Sequence, residues 1–180
     1  MLKKWFLIAM ASALLVGLSG CTGVPENVKP VRGFELPRYL GEWYEIARFD
    51  HSFEEGLSEV TATYSMRDDG GVKVINRGYS KEDGRWDEAE GKAYFVESET
   101  TGHLKVSFFG PFYASYVIME LDQKGYQYAL ITGPDKDYLW ILARTPTISD
   151  EVRARLLEKA RAAGYDTNKL IWVEHEQSNS

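Results

Sequence analysis

Apolar and polar residues alternate along most of the chain, in short runs that are separated by turn residues. In the run over 85–96, Ala89, Gly91, Ala93 and Phe95 share one face, and mostly charged residues share the other. Alternation with a period of two predicts strands with one face in an apolar interior and the other in water. The runs predict eight strands, over residues 41–50, 59–67, 72–80, 85–96, 102–109, 114–121, 126–132 and 138–144.

Short turns connect these strands one after another. The sequence DDGG at 68–71 has the composition of a hairpin turn, and polar turns also occupy 81–84 and 133–135. We therefore predict an all-β fold, an eight-stranded up-and-down antiparallel barrel, because closure removes the exposed edges of the sheet. A β-sandwich is the alternative that this pattern leaves open.

A single helix and a further strand are predicted after the barrel strands. Ser149 suits an N-cap, and Asp150 and Glu151 place negative charge in the first turn, where the helix dipole favours it. Gly164 supplies the end of the helix. Residues 170–173 predict a short ninth strand.

The first twenty residues have the organisation of a secretory signal peptide. Two lysines precede an apolar run over 5–18, which is too short to span a bilayer comfortably. The sequence LSGC at 18–21 resembles the lipobox of bacterial lipoproteins. That resemblance implies cleavage before Cys21, lipid attachment to Cys21 and, because Thr22 is not acidic, sorting to the outer membrane. An ordinary signal peptide followed by a chance cysteine is the alternative.

The composition fits one acidic domain after the signal peptide. The formal net charge of the chain is −6, and it becomes more negative when the two lysines of the signal are removed. Without a basic run, the chain offers no footprint for nucleic acid. We expect a lipidated tether over 21–33, one domain over 34–174 and a flexible tail over 175–180. Since Cys21 is the single cysteine, no disulfide is expected.

Two distant motifs resemble signatures of the lipocalin family. Gly41 and Trp43 match the family's G-x-W, and Arg144 matches the arginine at the end of its last barrel strand. Of the second signature, T-D-Y, Asp122 alone is kept. The likeness covers residues 34–173 and is greatest to the bacterial outer-membrane lipoproteins, through runs such as WYEIARFDHSFEEGL and DYLWILARTPTISDEV. It implies that Arg144 lies across Trp43 and seals the closed end of the barrel.

The resemblance also implies a function. The resemblance implies a lipid-anchored protein of the cell outer membrane, with its barrel facing the periplasm. Such a protein would carry fatty acids or lysophospholipids in envelope maintenance or stress. The resemblance also implies a homodimer.

Side chains alternate between facing inward and outward along a strand. Counting this parity from Trp43 and Arg144 as inward-facing residues predicts which side chains face the barrel interior and could contact a ligand. A β-bulge in a strand would reverse this parity from the bulge onward. The alternative is that the same residues simply fill the barrel as core. The predicted lining residues are Ala47, Phe49, Ala89, Gly91, Ala93, Phe95, Leu104, Val106, Phe108, Tyr116, Ile118, Tyr138, Trp140 and Leu142.

The same parity places Glu45 and Glu120 in the interior. An unpaired buried carboxylate is costly, so each would acquire a raised pKa, a partner or access to water, unless the parity is wrong. His51 could contact an anionic head group or lie on the plain surface.

Two loops carry apolar residues that could cover the mouth of the barrel or form exposed contacts. Phe53 and Leu57 lie in the first inter-strand loop, where they could act as a lid over the mouth of the barrel. The aromatic loop over 108–113 could form an apolar rim, a dimer contact or a membrane contact, or it could pack back on its own barrel.

Motifs for catalysis are absent from the sequence. It has no G-x-S-x-G, H-E-x-x-H, P-loop or G-x-G-x-x-G, and its three histidines fall at unrelated spacings. We therefore expect a binding protein with no cofactor and no metal, and treat residues 174–176 (EHE) as a solvated tail. The alternatives are a lipid- or isoprenoid-converting enzyme, with Glu45 and Tyr116 as its acid–base pair, and a structural lipoprotein with a filled barrel.

Overall fold

A computed structural model describes residues 22–176 of the chain. Its elements follow the predicted order, with an additional short helix before the first strand. The elements are α1 (Leu36–Tyr39), β1 (Gly41–Arg48), β2 (Leu57–Met66), β3 (Val72–Ser80), β4 (Arg85–Phe95), β5 (His103–Ser107), β6 (Ala114–Leu121), β7 (Tyr128–Thr132), β8 (Leu139–Ala143), α2 (Asp150–Ala162), a 3₁₀ turn (Thr167–Lys169) and β9 (Ile171–Trp172).

The first eight strands form a closed antiparallel barrel. Each strand from β2 to β7 pairs with the one that follows it in the chain, and β1 pairs with both β8 and β2, which closes the sheet. The short β9 pairs with the end of β1, at Ala47 and Arg48, beyond the residues of β1 that pair with β2. The prediction of an up-and-down barrel with a C-terminal helix and a ninth strand is therefore confirmed, and the sandwich is excluded.

The buried apolar residues form two clusters on opposite faces of the barrel wall. One cluster lies inside the barrel and contains Trp43, Tyr39 and Leu104. The other lies between the barrel wall and α2, where Leu156 and Ala160 are buried. Helix α2 thus covers the outside of the barrel and does not enter its interior.

Helix α2 begins and ends as the sequence predicts. The Ser149 hydroxyl accepts a hydrogen bond from the Val152 amide at 3.3 Å, which satisfies one amide that the first helical turn leaves unpaired. Gly164 follows the last turn with φ of +88°, a left-handed conformation that glycine adopts at little cost.

An irregularity in β1 corrects the predicted inward parity. The register with β8 shifts between Glu45 and Ala47, so that two neighbouring residues oppose one position of the partner strand. Ala47 and Phe49 therefore belong to the outer cluster under α2 and not to the interior. Arg48, which the uninterrupted alternation places outside, instead reaches the interior face and contacts Glu45.

A second shift corrects the placement of Glu120. The register between β6 and β7 changes between Ile118 and Glu120. The Glu120 carboxylate consequently lies on the outer wall, 2.8 Å from Nη2 of Arg155 and 3.3 Å from Nζ of Lys159. The prediction that Glu120 faces the interior was wrong.

The segment over 22–33 lies against the barrel, in contrast to the free tether that its composition suggests. The Val31 amide donates to the Ile118 carbonyl at 2.9 Å, and the Gly102 amide donates to the Val31 carbonyl at 2.9 Å. Nearer the start of the segment, the carbonyl of Thr22 lies 3.0 Å from Nε2 of His103. The signal peptide over 1–20 and the lipidation site Cys21 lie outside the described residues.

The beginning of the predicted tail also contacts the barrel. Nε2 of His175 lies 2.7 Å from the Glu45 carbonyl, and the Glu176 amide donates to Glu59 at 2.8 Å. Across residues 22–176, we find no helix with the length and apolar character required to cross a membrane.

Candidate functional site

The barrel encloses a cavity of about 630 Å³ that opens at one end. The open end carries the loops between β1 and β2, between β5 and β6, and between β7 and β8, all of which contribute to the lining. At the opposite end, α1 and the first residues of β1 form the floor. A cavity of this size lies within the range of roughly 300–1,000 Å³ that is typical of small-molecule sites.

Trp43 and Arg144 close the floor. The Arg144 guanidinium lies 4.0 Å from the centroid of the Trp43 ring, and it donates to the carbonyls of Glu42 and Leu40 at 2.9 Å each. Trp43 is fully buried. Arg144 therefore makes a cation–π contact with Trp43 and also donates hydrogen bonds to the backbone at the floor.

Gly41 is required by this closure. Its φ is +98°, and a Cβ at this position would lie 3.3 Å from Nη1 of Arg144. A larger residue would therefore strain the backbone and crowd the guanidinium at once.

Most of the predicted lining residues face the cavity. They come from β4, β5, β6 and β8 and are mainly apolar. They are Ala89, Ala93, Leu104, Val106, Phe108, Tyr116, Tyr138, Trp140 and Leu142.

The remaining predicted lining residues do not border the cavity. Ala47 and Phe49 lie outside the barrel because of the shift in β1. Gly91 is covered by Phe108, whose ring would lie 2.8 Å from a Cβ on that glycine. Phe95 packs at 6.0 Å from the Phe34 ring, and Ile118 is wholly buried within the interior cluster.

The cavity-lining residues of β2 and β3 were not predicted from the sequence. Both strands alternate as clearly as β4 does, so the signal was present, but no signature residue set their inward parity. The missed lining residues of these strands are Val60, Ala62, Tyr64, Val72, Val74, Asn76, Arg77 and Gly78.

A cluster of titratable residues, which we call the polar cluster, borders the cavity near its open end. It consists of Glu45, Arg48, His51 and Glu54. Nη1 of Arg48 donates to Glu45 at 2.9 Å, and Nη2 donates to the Glu54 carbonyl at 2.7 Å. The Glu54 carboxylate lies 3.2 Å from Nε2 of His51 and accepts from the Trp140 indole at 3.2 Å.

One guanidinium faces two carboxylates in the polar cluster, and this sets their protonation. Burial and the nearby Glu54 raise the pKa of Glu45 well above its ordinary value, against the opposing effect of Arg48. Burial likewise raises the pKa of Glu54. For His51, burial and the Arg48 charge lower the pKa to about 4. The surroundings of the cluster therefore favour the protonated form of both carboxyl groups and the neutral form of the His51 imidazole.

Three tyrosine hydroxyls meet deeper in the cavity, and we call them the tyrosine triad. The Tyr39 and Tyr116 hydroxyl oxygens lie 2.7 Å apart, and the Tyr64 and Tyr116 oxygens lie 2.8 Å apart. Burial raises the pKa of each hydroxyl, so all three stay protonated at physiological pH.

Large aromatic residues surround the open end. Phe109 and Phe112 of the loop between β5 and β6 are 80% and 79% exposed, and Phe53 of the first loop is 55% exposed. Phe109 and Phe112 therefore do not pack back on the barrel, whereas Phe108 covers Gly91 and Tyr113 packs against Tyr94. His51 is not plain surface, because its ring stacks on Phe53 at 3.9 Å.

The residues that an enzyme would need are bonded elsewhere. Glu45 is paired with Arg48, and the Tyr116 hydroxyl is bonded to Tyr39 and Tyr64. Between residues 22 and 176, no group of three or more His, Cys, Asp or Glu side chains is arranged to hold a metal ion.

Comparison with known proteins gives close matches across the described chain. Residues 34–175 match the family model of the lipocalin-like domain. The outer membrane lipoprotein Blc of Vibrio cholerae is 59% identical over 159 residues, which cover 88% of this chain and 93% of that relative. Blc of Escherichia coli K12 is 56% identical over 174 residues, which cover 96% and 97%.

More distant proteins share the same fold. Temperature-induced lipocalin-1 of Arabidopsis thaliana is 36% identical over 154 residues, which cover 81% of each chain. The solved structure of insecticyanin from the tobacco hornworm Manduca sexta superimposes with a TM-score of 0.69 at 24% identity, covering 86% of this chain and 88% of the other.

Proposed function

The chain belongs to the lipocalin family, and we propose that it is a membrane-anchored carrier that holds a single-chain lipid in its barrel. Fatty acids and lysophospholipids are the ligand classes that we assign to it. Its role would be to bind, store or transport such lipids during envelope maintenance or stress. The location is the outer membrane, in agreement with the names of the relatives that are 55–59% identical.

The cavity is the observation that carries this proposal. Its wall is built mainly from aliphatic and aromatic side chains, and it communicates with the exterior at one end. Removing each methylene of an acyl chain from water contributes about 0.8 kcal/mol. A chain that buries several methylenes in this wall therefore gains useful affinity without any bond to its head group.

The open end is the part of the barrel that we place nearest the membrane. Thr22 precedes the first described strand and follows the predicted lipid attachment site, and it lies beside His103 on the outer wall. Nε2 of the same His103 lies 2.8 Å from the hydroxyl of Ser115, the second residue of β6. At roughly 3.4 Å per residue, Ser115 is on the order of 10 Å along the chain from Phe112.

Thr22 and the exposed aromatic residues of the rim therefore lie on the same side of the barrel, the side formed by β5 and β6. Phe109 and Phe112 offer apolar area of the kind that enters a bilayer interface. A barrel held in this way on the periplasmic side would accept a lipid directly from the membrane. Cleavage before Cys21 and a homodimer both stay predictions.

We assign binding and not catalysis because the interior offers no poised acid–base pair. Glu45 and Tyr116 border the same cavity, but each is bonded to other side chains. The structural alternative, a filled barrel, conflicts with the cavity volume of about 630 Å³.

Native mass spectrometry of the lipoprotein, isolated in mild detergent, tests the proposal. We expect a non-covalent mass increment equal to one fatty acid or lysophospholipid, which disappears when the protein is denatured. A lipid-free spectrum under conditions that preserve the fold would contradict the carrier function. Turnover of an added lipid that is lost in Glu45→Gln would favour the enzyme alternative.

A further inference from the structure

The tyrosine triad has one more hydrogen than its internal bonds use. Each of the three hydroxyls carries one hydrogen, and the two contacts through Tyr116 consume two of them. Whichever way the two bonds are oriented, one O–H group is left to donate elsewhere. All three residues border the cavity, and Tyr39 and Tyr64 are almost fully buried.

The surroundings of the triad are apolar. The Tyr39 ring lies 5.3 Å from the Phe34 ring, 4.7 Å from the Trp43 ring and 5.3 Å from the Tyr64 ring. Since a buried donor without an acceptor is unfavourable, this part of the cavity favours an occupant that brings an oxygen atom. A purely hydrocarbon chain end would leave the donor unsatisfied.

The charge of the surroundings selects among oxygen-bearing groups. The three hydroxyls are neutral donors because burial raises the pKa of each. Glu45 and Glu54 add to the rise in the pKa of Tyr64, so they disfavour a negative charge there. Arg144, the cation at the floor, is already bonded to backbone carbonyls and stacked on Trp43. A formal negative charge at the triad would thus lose its hydration without gaining an ion pair.

We propose that the tyrosine triad is a subsite for an uncharged acceptor oxygen at the inner end of the ligand. Alcohols, ester carbonyls and protonated carboxylic acids share this chemistry. The inference rests on the proposed carrier function and deepens it, because it specifies the group that the inner end of the lipid should carry.

The hydrogen count dictates the variant that tests the subsite. A single Tyr→Phe change does not remove the spare donor: one hydrogen is left over after Tyr39→Phe or Tyr64→Phe, and two after Tyr116→Phe, because both bonds run through Tyr116. The triple change Tyr39→Phe, Tyr64→Phe and Tyr116→Phe removes every donor and keeps the ring shapes. Removing all partners of a buried network together is often tolerated by the fold. Tyr138→Phe, which changes a tyrosine that lines the cavity outside the triad, is the matched control.

The probes are dodecan-1-ol and dodecane, each measured by displacement of the same apolar fluorescent dye. We expect the triple variant to lose about tenfold in affinity for the alcohol, an amount typical of one buried hydrogen bond, and to bind the alkane as well as the wild type. The Tyr138→Phe control should keep the wild-type ratio of the two affinities.

Two results would overturn the subsite. Equal affinity ratios in the wild type and in a folded triple variant would show that the hydroxyls do not contact the ligand. Equal losses for the alcohol and the alkane would show a packing effect. A wild type that binds neither probe would overturn the carrier function as well, and so the two failures are distinguishable.

Discussion

Glu54 lies near the open end of the barrel, and its carboxyl group is buried. This burial makes the free energy of unfolding depend on pH. Burial raises the pKa of Glu54, so the folded protein keeps a proton that the unfolded chain loses above a pH of about 4.3. The resulting stabilisation is complete below that pH and is lost as the pH rises through the pKa of the folded state.

Glu54→Gln should remove this dependence, because glutamine does not titrate and can still accept from the Trp140 indole. The free energy of unfolding of the variant, relative to the wild type, should increase between pH 5 and pH 8, by about 1.4 kcal/mol for each unit by which the pKa is raised. Urea unfolding at several pH values measures it. A constant or falling difference would contradict a raised pKa of Glu54. The lowered pKa of His51 acts in both proteins and largely cancels. Loss of the Glu54 charge also lowers the pKa of Glu45, which adds to the expected increase in the same direction.

The sequence identified individual residues well where chemistry or a signature singled them out. The stacked pair of Trp43 and Arg144 lies where the resemblance placed it. The polar cluster was not predictable, because Arg48 reaches the interior through a shift in register that no local pattern reveals. The tyrosine triad likewise depends on residues from α1, β2 and β6 that only the closed barrel brings together.

At the scale of elements, alternation predicted every barrel strand, and the errors lie where strands are irregular. The two shifts in β1 and β6 reverse the inward parity of Ala47, Phe49 and Glu120. Both bulged strands supply residues to the contact with α2, so the irregularities turn side chains toward the helix. A period-two pattern cannot locate such a shift, because each half of the strand alternates normally.

Helix α2 should contribute to stability and not to ligand binding. Leu156 is fully buried between the helix and the outer wall of the barrel. Leu156→Ala should lower the free energy of unfolding by about 2–5 kcal/mol through lost contacts and a cavity. Affinity for a single-chain lipid, measured below the unfolding transition, should stay at the wild-type value.

The exposed residue Glu158 on the same helix offers a control, since Glu158→Ala should change stability by less than about 0.5 kcal/mol. A large change of lipid affinity in a folded Leu156→Ala protein would contradict the separation of the outer cluster from the cavity.

At the scale of the whole molecule, the contacts of residues 22–34 restrict how far the start of the described chain can move from the barrel. A free tether would let the barrel adopt many orientations, whereas the bonds of Thr22 and Val31 hold the start of the described chain against the wall. Composition could not reveal this, because the segment has the prolines and polar residues of a linker and bonds mainly through its backbone.

A thiol placed at the rim tests this orientation. Cys21 is the single cysteine of the sequence, so a lipidated protein with Phe109→Cys would carry one free thiol for an environment-sensitive dye. In proteoliposomes, we expect spin-labelled lipids to quench this dye strongly. They should quench a dye at Glu99→Cys weakly, because Glu99 is exposed in the turn between β4 and β5 at the closed end. Equal quenching at the two positions would refute the orientation.

The carrier function depends on space inside the barrel, and filling that space tests it most directly. Ala93 lines the cavity and is 5% exposed, so Ala93→Phe would place a ring where we expect the acyl chain. The control is Ala162→Phe on the exposed surface of α2, and both variants must keep a cooperative unfolding transition. The measurement is a titration of each protein with a fluorescent fatty acid. We expect Ala93→Phe alone to lose binding, and wild-type binding by that variant would show that the ligand does not occupy the barrel.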